Sequence, residues 1–205
     1  MCLAVRSFQP PNSLFTSPTA YFPPLSWFLA ALSHADWRWE AHENYQKGGW
    51  RNRCRIAGPN GPLLLSIPLA GGKHRQMPVR EVRVSHHSDW QRQHAQAIRS
   101  AYGRAPYFEH YGEPLLETAA QHAVYLFDYN LALTDRILQL LGTSLRVGTT
   151  DTFLGADAGA VPNPEAVPPY RQVFEDRHGF QPGLSVLDGL FCLGPELLLL
   201  PNDYL

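Results

Sequence analysis

Between His42 and Ile56 the chain reads HENYQKGGWRNRCRI, and this segment concentrates side chains able to hold an anion and move a proton. An imidazole such as His42 titrates near neutrality, and Glu43 beside it can orient that ring or act as a base itself. Arg51, Arg53 and Arg55 recur at every second position. On a strand such residues project to one face, where forked guanidinium donors suit a carboxylate or a phosphate. Asn44, Tyr45 and Asn52 add neutral hydrogen-bonding groups. The same arginines could instead be neutralised by Asp36, Glu40 and Glu43, the commoner arrangement on a surface and worth little in energy.

A second candidate base is His94. Trp90, His94, Ile98 and Ala101 share one helical face, so the ring is either a catalyst or a hydrogen-bonded core residue. Near the C-terminus Ser185 and Asp188 have the spacing of a helix cap with an acid in its first turn, which serves structure as readily as chemistry. Cys54 lies between two arginines, which favours a thiolate, yet strand alternation turns it inward and makes it inert. No GxSxG, GxGxxG or GxxxxGK[ST] pattern occurs, and no histidine pair has metal-ligand spacing. No metal and no cofactor are expected.

These groups need a scaffold, and the chain can build one. Its 205 residues are 44% hydrophobic and 12% aromatic, enough for one domain with a sizeable core. A net charge of −1 gives no general attraction to nucleic acid. The three cysteines lack CxxC spacing, the N-terminus lacks the layout of a secretory signal, and no apolar run could span a bilayer. A cytoplasmic protein without membrane insertion or a nucleic-acid partner is expected.

The pattern predicts an α/β (mixed) fold: an N-terminal β-α-β unit plus a β-hairpin sheet, packed with a mainly helical C-terminal half. Residues 1–18, proline-rich and aperiodic, read as an N-terminal extension to a single domain over 19–205. A strand is expected over 19–22, and Pro24 opens the helix LSWFLAALSHA. WRWEAH then alternates as a strand with Trp37, Trp39 and Ala41 on one face. RCRIA and LLLSIPL flank Asn60-Gly61, a hairpin signal. GGKHRQ reads as a loop carrying His74, and VREVRVS as a half-exposed strand. A helix capped by Ser88 with Gln91 follows, closed by Gly103. APYFEHYGEP reads as a connector, 119–141 as an enclosed helix and 149–169 as a long loop. LSVLDGLFCLG makes a last short helix that stops at Gly194-Pro195.

Several blocks in this order resemble the WbqC family in its compact bacterial form. They are TAYFPPLSWF, EAHENYQKGGWRNRCRI, DWQRQHAQAIRSAYGRAPYFEHY, FDYNLALTDRILQLLG and PPYRQVFEDRHGFQPGLSVLDGLFCLGPE, which together reach from Thr19 to Glu196. Larger members carry a His-Gln-Pro motif where this chain has Ala20-Tyr21-Phe22-Pro23. The resemblance implies a transferase that places an acyl or aminoacyl group on a sugar nucleotide during surface-polysaccharide (O-antigen) biosynthesis. The substrate would be a small anion. The positions that fit the family's polar blocks are His42, Glu43, Asn44, Tyr45, Asn52, Arg53, His94, Tyr102, Gln172 and Asp188. The expected catalytic groups are His42, Glu43 and His94. Tyr21, Asn44, Tyr45, Asn52, Arg53, Trp90, Tyr102, Tyr107 and Gln172 would bind substrate. A non-catalytic module for an anionic metabolite or a partner enzyme of the pathway is the alternative.

Overall fold

The computed structural model describes residues 14–71, 77–155 and 161–203. It has the expected α/β build: a parallel N-terminal unit, a separate two-stranded sheet and a mainly helical second half. Strand β1 (Leu14–Pro18) leads into helix α1 (Leu25–Leu32) and then strand β2 (Asp36–Glu40). β1 and β2 pair in parallel, with Phe15 opposite Trp37 and Ser17 opposite Trp39. The distant strand β5 (Val147–Thr149) pairs in parallel on the other edge of β2.

The first strand therefore lies at 14–18 rather than 19–22, and part of the segment read as an extension belongs to the sheet. Residues 1–13 lie outside the described residues, as does His74. Phe15 and Ser17 are buried, and Ser17 Oγ accepts a bond from Trp37 Nε1 at 3.0 Å. That inward hydroxyl hides the alternation that usually marks a strand.

Trp37 and Trp39 are fully buried on one face of β2. Phe28 of α1 meets Trp37 edge-on at 5.8 Å, and Phe127 of helix α4 (Leu126–Leu140) meets Trp39 edge-on at 5.9 Å. The strand is thus gripped by one helix from each half of the chain. Behind it Glu40 closes the end of the sheet, accepting from His42 N–H at 2.8 Å, Thr150 Oγ1 at 3.0 Å and Leu154 N–H at 2.8 Å.

The second sheet is the hairpin β3 (Arg53–Ile56) and β4 (Leu63–Ser66), antiparallel, with Arg53 opposite Ser66. Its turn runs from Gly58 to Gly61, closed by Gly61 N–H on Gly58 O at 3.2 Å. Pro59-Asn60 therefore occupy the centre instead of Asn60-Gly61, consistent with the preference of proline for the first central position.

Helix α2 (Trp90–Tyr102) starts after Asp89 with no side-chain cap, so the expected capping box is not made. The segment read as a strand over VREVRVS is a 3-10 turn, Val79–Glu81, followed by isolated bridges from Arg83 to Tyr125 and Val84 to Leu69. The expected aromatic connector forms helix α3 (Phe108–Ala119), which tolerates Pro114 in its interior. After the single turn α5 (Glu175–His178), helix α6 (Val186–Leu193) continues past Gly194 as a 3-10 helix to Asp203 instead of stopping.

Gly194 allows that junction. Its φ is +54°, and an added Cβ would overlap the Tyr107 ring. Gly194→Ala is expected to cost about 2 kcal/mol through overpacking and left-handed strain, read as a lower midpoint in urea unfolding. An unchanged midpoint would mean that Tyr107 moves aside freely.

Candidate functional site

After β2 the chain runs beside residues 77–79: Val79 N–H donates to Glu43 O at 3.0 Å and Tyr45 N–H to Met77 O at 2.8 Å. This delivers Tyr45 inward, where its hydroxyl donates to Asn52 Oδ1 at 2.9 Å. Asn52 Nδ2 donates in turn to Ile67 O at 2.9 Å, and Ile67 N–H returns to Asn52 O at 2.8 Å. Asn52 thus clamps the open end of the β3–β4 hairpin. Between Tyr45 and Asn52 the backbone swings through Gly48 at φ +88°.

This arrangement leaves a cleft of about 380 Å³, walled by Tyr45, Gly48, Asn52, Arg53 and Ser66. Arg53 is its chemical centre. Its Nε is buried without a hydrogen-bond partner, and no carboxylate lies within ion-pair distance among the described residues. Burial raises the Tyr45 phenol, while Arg51 and Arg53 pull it back.

Of the three arginines expected on one face, Arg53 and Arg55 do alternate with buried Cys54 and Ile56 on β3, but their head groups meet different partners and Arg51, before the strand, turns inward. Arg51 is buried and forks onto Glu43, with Nε to Oε1 at 2.9 Å and NH2 to Oε2 at 2.5 Å. Arg55 lies over the Trp50 ring at 5.4 Å. Only Arg53 faces the cleft. Glu43 consequently serves as the partner of Arg51, and of the neighbouring acids Asp36 takes Arg38 at 2.9 Å.

His94 sits behind the cleft. Trp90, His94, Ile98 and Ala101 are buried together on α2, as the spacing predicts. Tyr21 Oη and His94 Nδ1 are 3.0 Å apart. Burial lowers the imidazole to about 4, against a hydrogen bond to the backbone of Ser66 that raises it. The neutral ring fits both contacts: Tyr21 donates to Nδ1, and the remaining N–H goes to the Ser66 backbone. His94 therefore braces, from inside, the strand end that faces Arg53.

Residues 19–161 match the model of the WbqC-like protein family. The chain belongs to that family. No curated protein and no solved structure matches it. The match spans the cleft and His94 and ends before Gln172, whereas the resemblance read from sequence runs on to Glu196.

In this WbqC-like chain the remaining expected residues lie elsewhere. His42 is exposed, its Nε2 donating to Thr150 O at 3.1 Å, and Asn44 is exposed beside Pro78. Tyr107 is half-buried, with its ring 6.2 Å from Tyr111. Tyr102 and Gln172 belong to a second buried cluster around Asp188. Tyr170 Oη donates to Asp188 Oδ2 at 2.5 Å and Gln172 Nε2 to the same oxygen at 2.9 Å. Tyr102 Oη accepts from Ala57 N–H at 2.9 Å. Burial raises the Asp188 carboxyl to about 6, opposed by hydrogen bonds from Tyr170, Tyr102 and Gln172. The expected cap does not form: Ser185 Oγ has no partner among the described residues, and Asp188 binds side chains instead.

Sequence reasoning passed over Ser66, the register partner of Arg53, and Gly48. Ser66 could have been found by counting across the hairpin, had the turn been centred on Pro59-Asn60. A turn centred on Asn60-Gly61 would put Pro68 opposite Arg53. Cys54 is fully buried with its thiol pushed well up, an inert core residue as expected. Among the described residues no group of three or more His, Cys, Asp or Glu could hold a metal ion, and no helix is long and apolar enough to cross a membrane.

Proposed function

We propose that the cleft beside Arg53 holds an anionic small molecule, a sugar nucleotide. The protein would then be a transferase of surface-polysaccharide biosynthesis, placing an acyl or aminoacyl group on an amino or hydroxyl group of that substrate. One observation carries the anion: Arg53 reaches a cleft wall with a buried Nε that has no hydrogen-bond partner, and no carboxylate pairs with it, among the described residues. A buried donor left unpaired costs about 1–3 kcal/mol, which a phosphate or carboxylate oxygen would relieve. Tyr45 and Asn52, already locked to each other, supply a preorganised wall.

His94, neutral and enclosed, is a weak base at pH 7. Rate acceleration would therefore rest on positioning and on charge stabilisation by Arg53 more than on proton transfer. The burial of His94 also favours the second reading, a binding module that presents the same anion to a partner enzyme.

The test is thermal unfolding with uridine diphosphate sugars as the probe. A melting temperature that rises with ligand in the native chain, and no longer does so in Arg53→Ala, supports anion binding at this cleft. Arg53→Ala should weaken binding about tenfold or more, since a charge-assisted hydrogen bond contributes about 1.5–3 kcal/mol. Equal shifts in both proteins would overturn the assignment. Turnover of an amino-sugar nucleotide with an acyl donor separates transferase from module.

A further inference from the structure

One face of α1 does not pack tightly. Ser26, Leu29 and Ala30 of α1, with Ser33 and His34 just beyond its end, follow the i, i+3, i+4, i+7, i+8 spacing of a single stripe, and they form one wall of a groove of about 530 Å³. Pro162, Glu165, Ala166, Val167 and Pro168 with Leu200 form the opposite wall. That segment is tied to the helix by Trp27 Nε1 donating to Pro162 O at 2.9 Å. Ala30, small and half-buried, keeps the groove open.

Three features describe what would fit. First, the lining is aliphatic and proline-rich, with no Phe, Tyr or Trp among the described lining residues, so it offers no platform for a flat base. Secondly, no lysine or arginine is among them, and the only charge is Glu165, so an anionic head group would meet repulsion without compensation. Thirdly, two polar groups remain available. Ser26 lines the groove, is 3% exposed, and its hydroxyl has no hydrogen-bond partner among the described residues. His34 Nδ1 lies 2.7 Å from Ala30 O, which only accepts, so Nδ1 carries a proton there and Nε2 is the ring's second polar atom.

We propose that this groove is a second binding site, for an aliphatic chain ending in an uncharged hydrogen-bonding group, such as an alcohol or an acyl ester. Its volume is in the range of small-ligand sites, which pair apolar walls with a few placed polar atoms. It shares no described lining residue with the Arg53 cleft, so the proposal stands apart from the transferase reading.

The experiment displaces an apolar fluorescent naphthylamine from the full chain with 1-octanol and with octanoate, while following Trp27-dependent tryptophan emission. Octanol should compete, and octanoate should bind about tenfold more weakly for want of a cation. Ala30→Phe should fill the groove and abolish displaceable binding. Ala166→Phe, from the facing wall, repeats the test should the first variant fold poorly. Arg53→Ala should leave octanol binding unchanged. Octanol failing to compete, octanoate binding as well as octanol, or both filling variants binding normally would each overturn the proposal.

Discussion

Glu43→Ala lowers stability by about 3–5 kcal/mol in urea unfolding, the loss expected when one partner of a buried ion pair is removed. Arg51 and Glu43 are 6% and 8% exposed, too enclosed for water to solvate the abandoned guanidinium. The forked geometry satisfies both carboxylate oxygens at once. Asn130 Nδ2 also donates to Arg51 O at 2.7 Å, so a shift of Arg51 is transmitted to α4. Replacing both partners by apolar groups, Glu43→Leu with Arg51→Met, should recover most of the loss, because no charge is then left buried. A single-site loss under about 1 kcal/mol would mean that water reaches the pair and that it behaves as a surface bridge.

The second large effect lies in the pH dependence of stability, where two buried groups oppose each other. His94 falls from 6.5 to about 4 in the fold. Its contribution is complete above pH 6.5 and is lost as pH drops towards 4, about 3 kcal/mol at roughly 1.4 kcal/mol per pH unit. Asp188 rises from 3.8 to about 6. Its contribution is complete below pH 3.8 and is lost as pH climbs through 6, again about 3 kcal/mol. Between pH 4 and 6 the slopes cancel. Single variants uncover them: His94→Gln should lose stability as pH rises from 4 to 6, and Asp188→Asn should gain it. Urea midpoints at half-unit steps decide the matter, and three parallel curves would refute it.

The sequence made local features plain and distant pairings obscure. The alternation of Trp37 and Trp39 and the His94 stripe on α2 are readable because each pattern is complete within a single element. β1 escapes notice because Ser17 points inward to serve Trp37, a partner twenty residues away. VREVRVS alternates like a strand, yet Pro78 precedes it and, among the described residues, isolated bridges meet it in place of a ladder. Helix α3 looks like a connector because Gly112 and Pro114 are poor helix formers. Packing overrides that preference, since Gly112 leaves room for the Phe108 ring. In the candidate site Arg53 and Asn52 could be chosen from their types. That Arg51 is already taken by Glu43, and Gln172 by Asp188, depends on tertiary contacts that no spacing reveals.

β2 pairs with β1 from just upstream, but its other edge pairs with Val147–Thr149, and Glu40 waits for Thr150 and Leu154. While the chain emerges from the ribosome, the two tryptophans of β2 leave the exit tunnel more than a hundred residues ahead of the strand that completes their sheet. Until then a nascent chain displays an open edge, the kind of surface that templates pairing with other chains. A truncation ending before residue 147 should emerge insoluble, and a soluble one would refute the dependence of the sheet on β5.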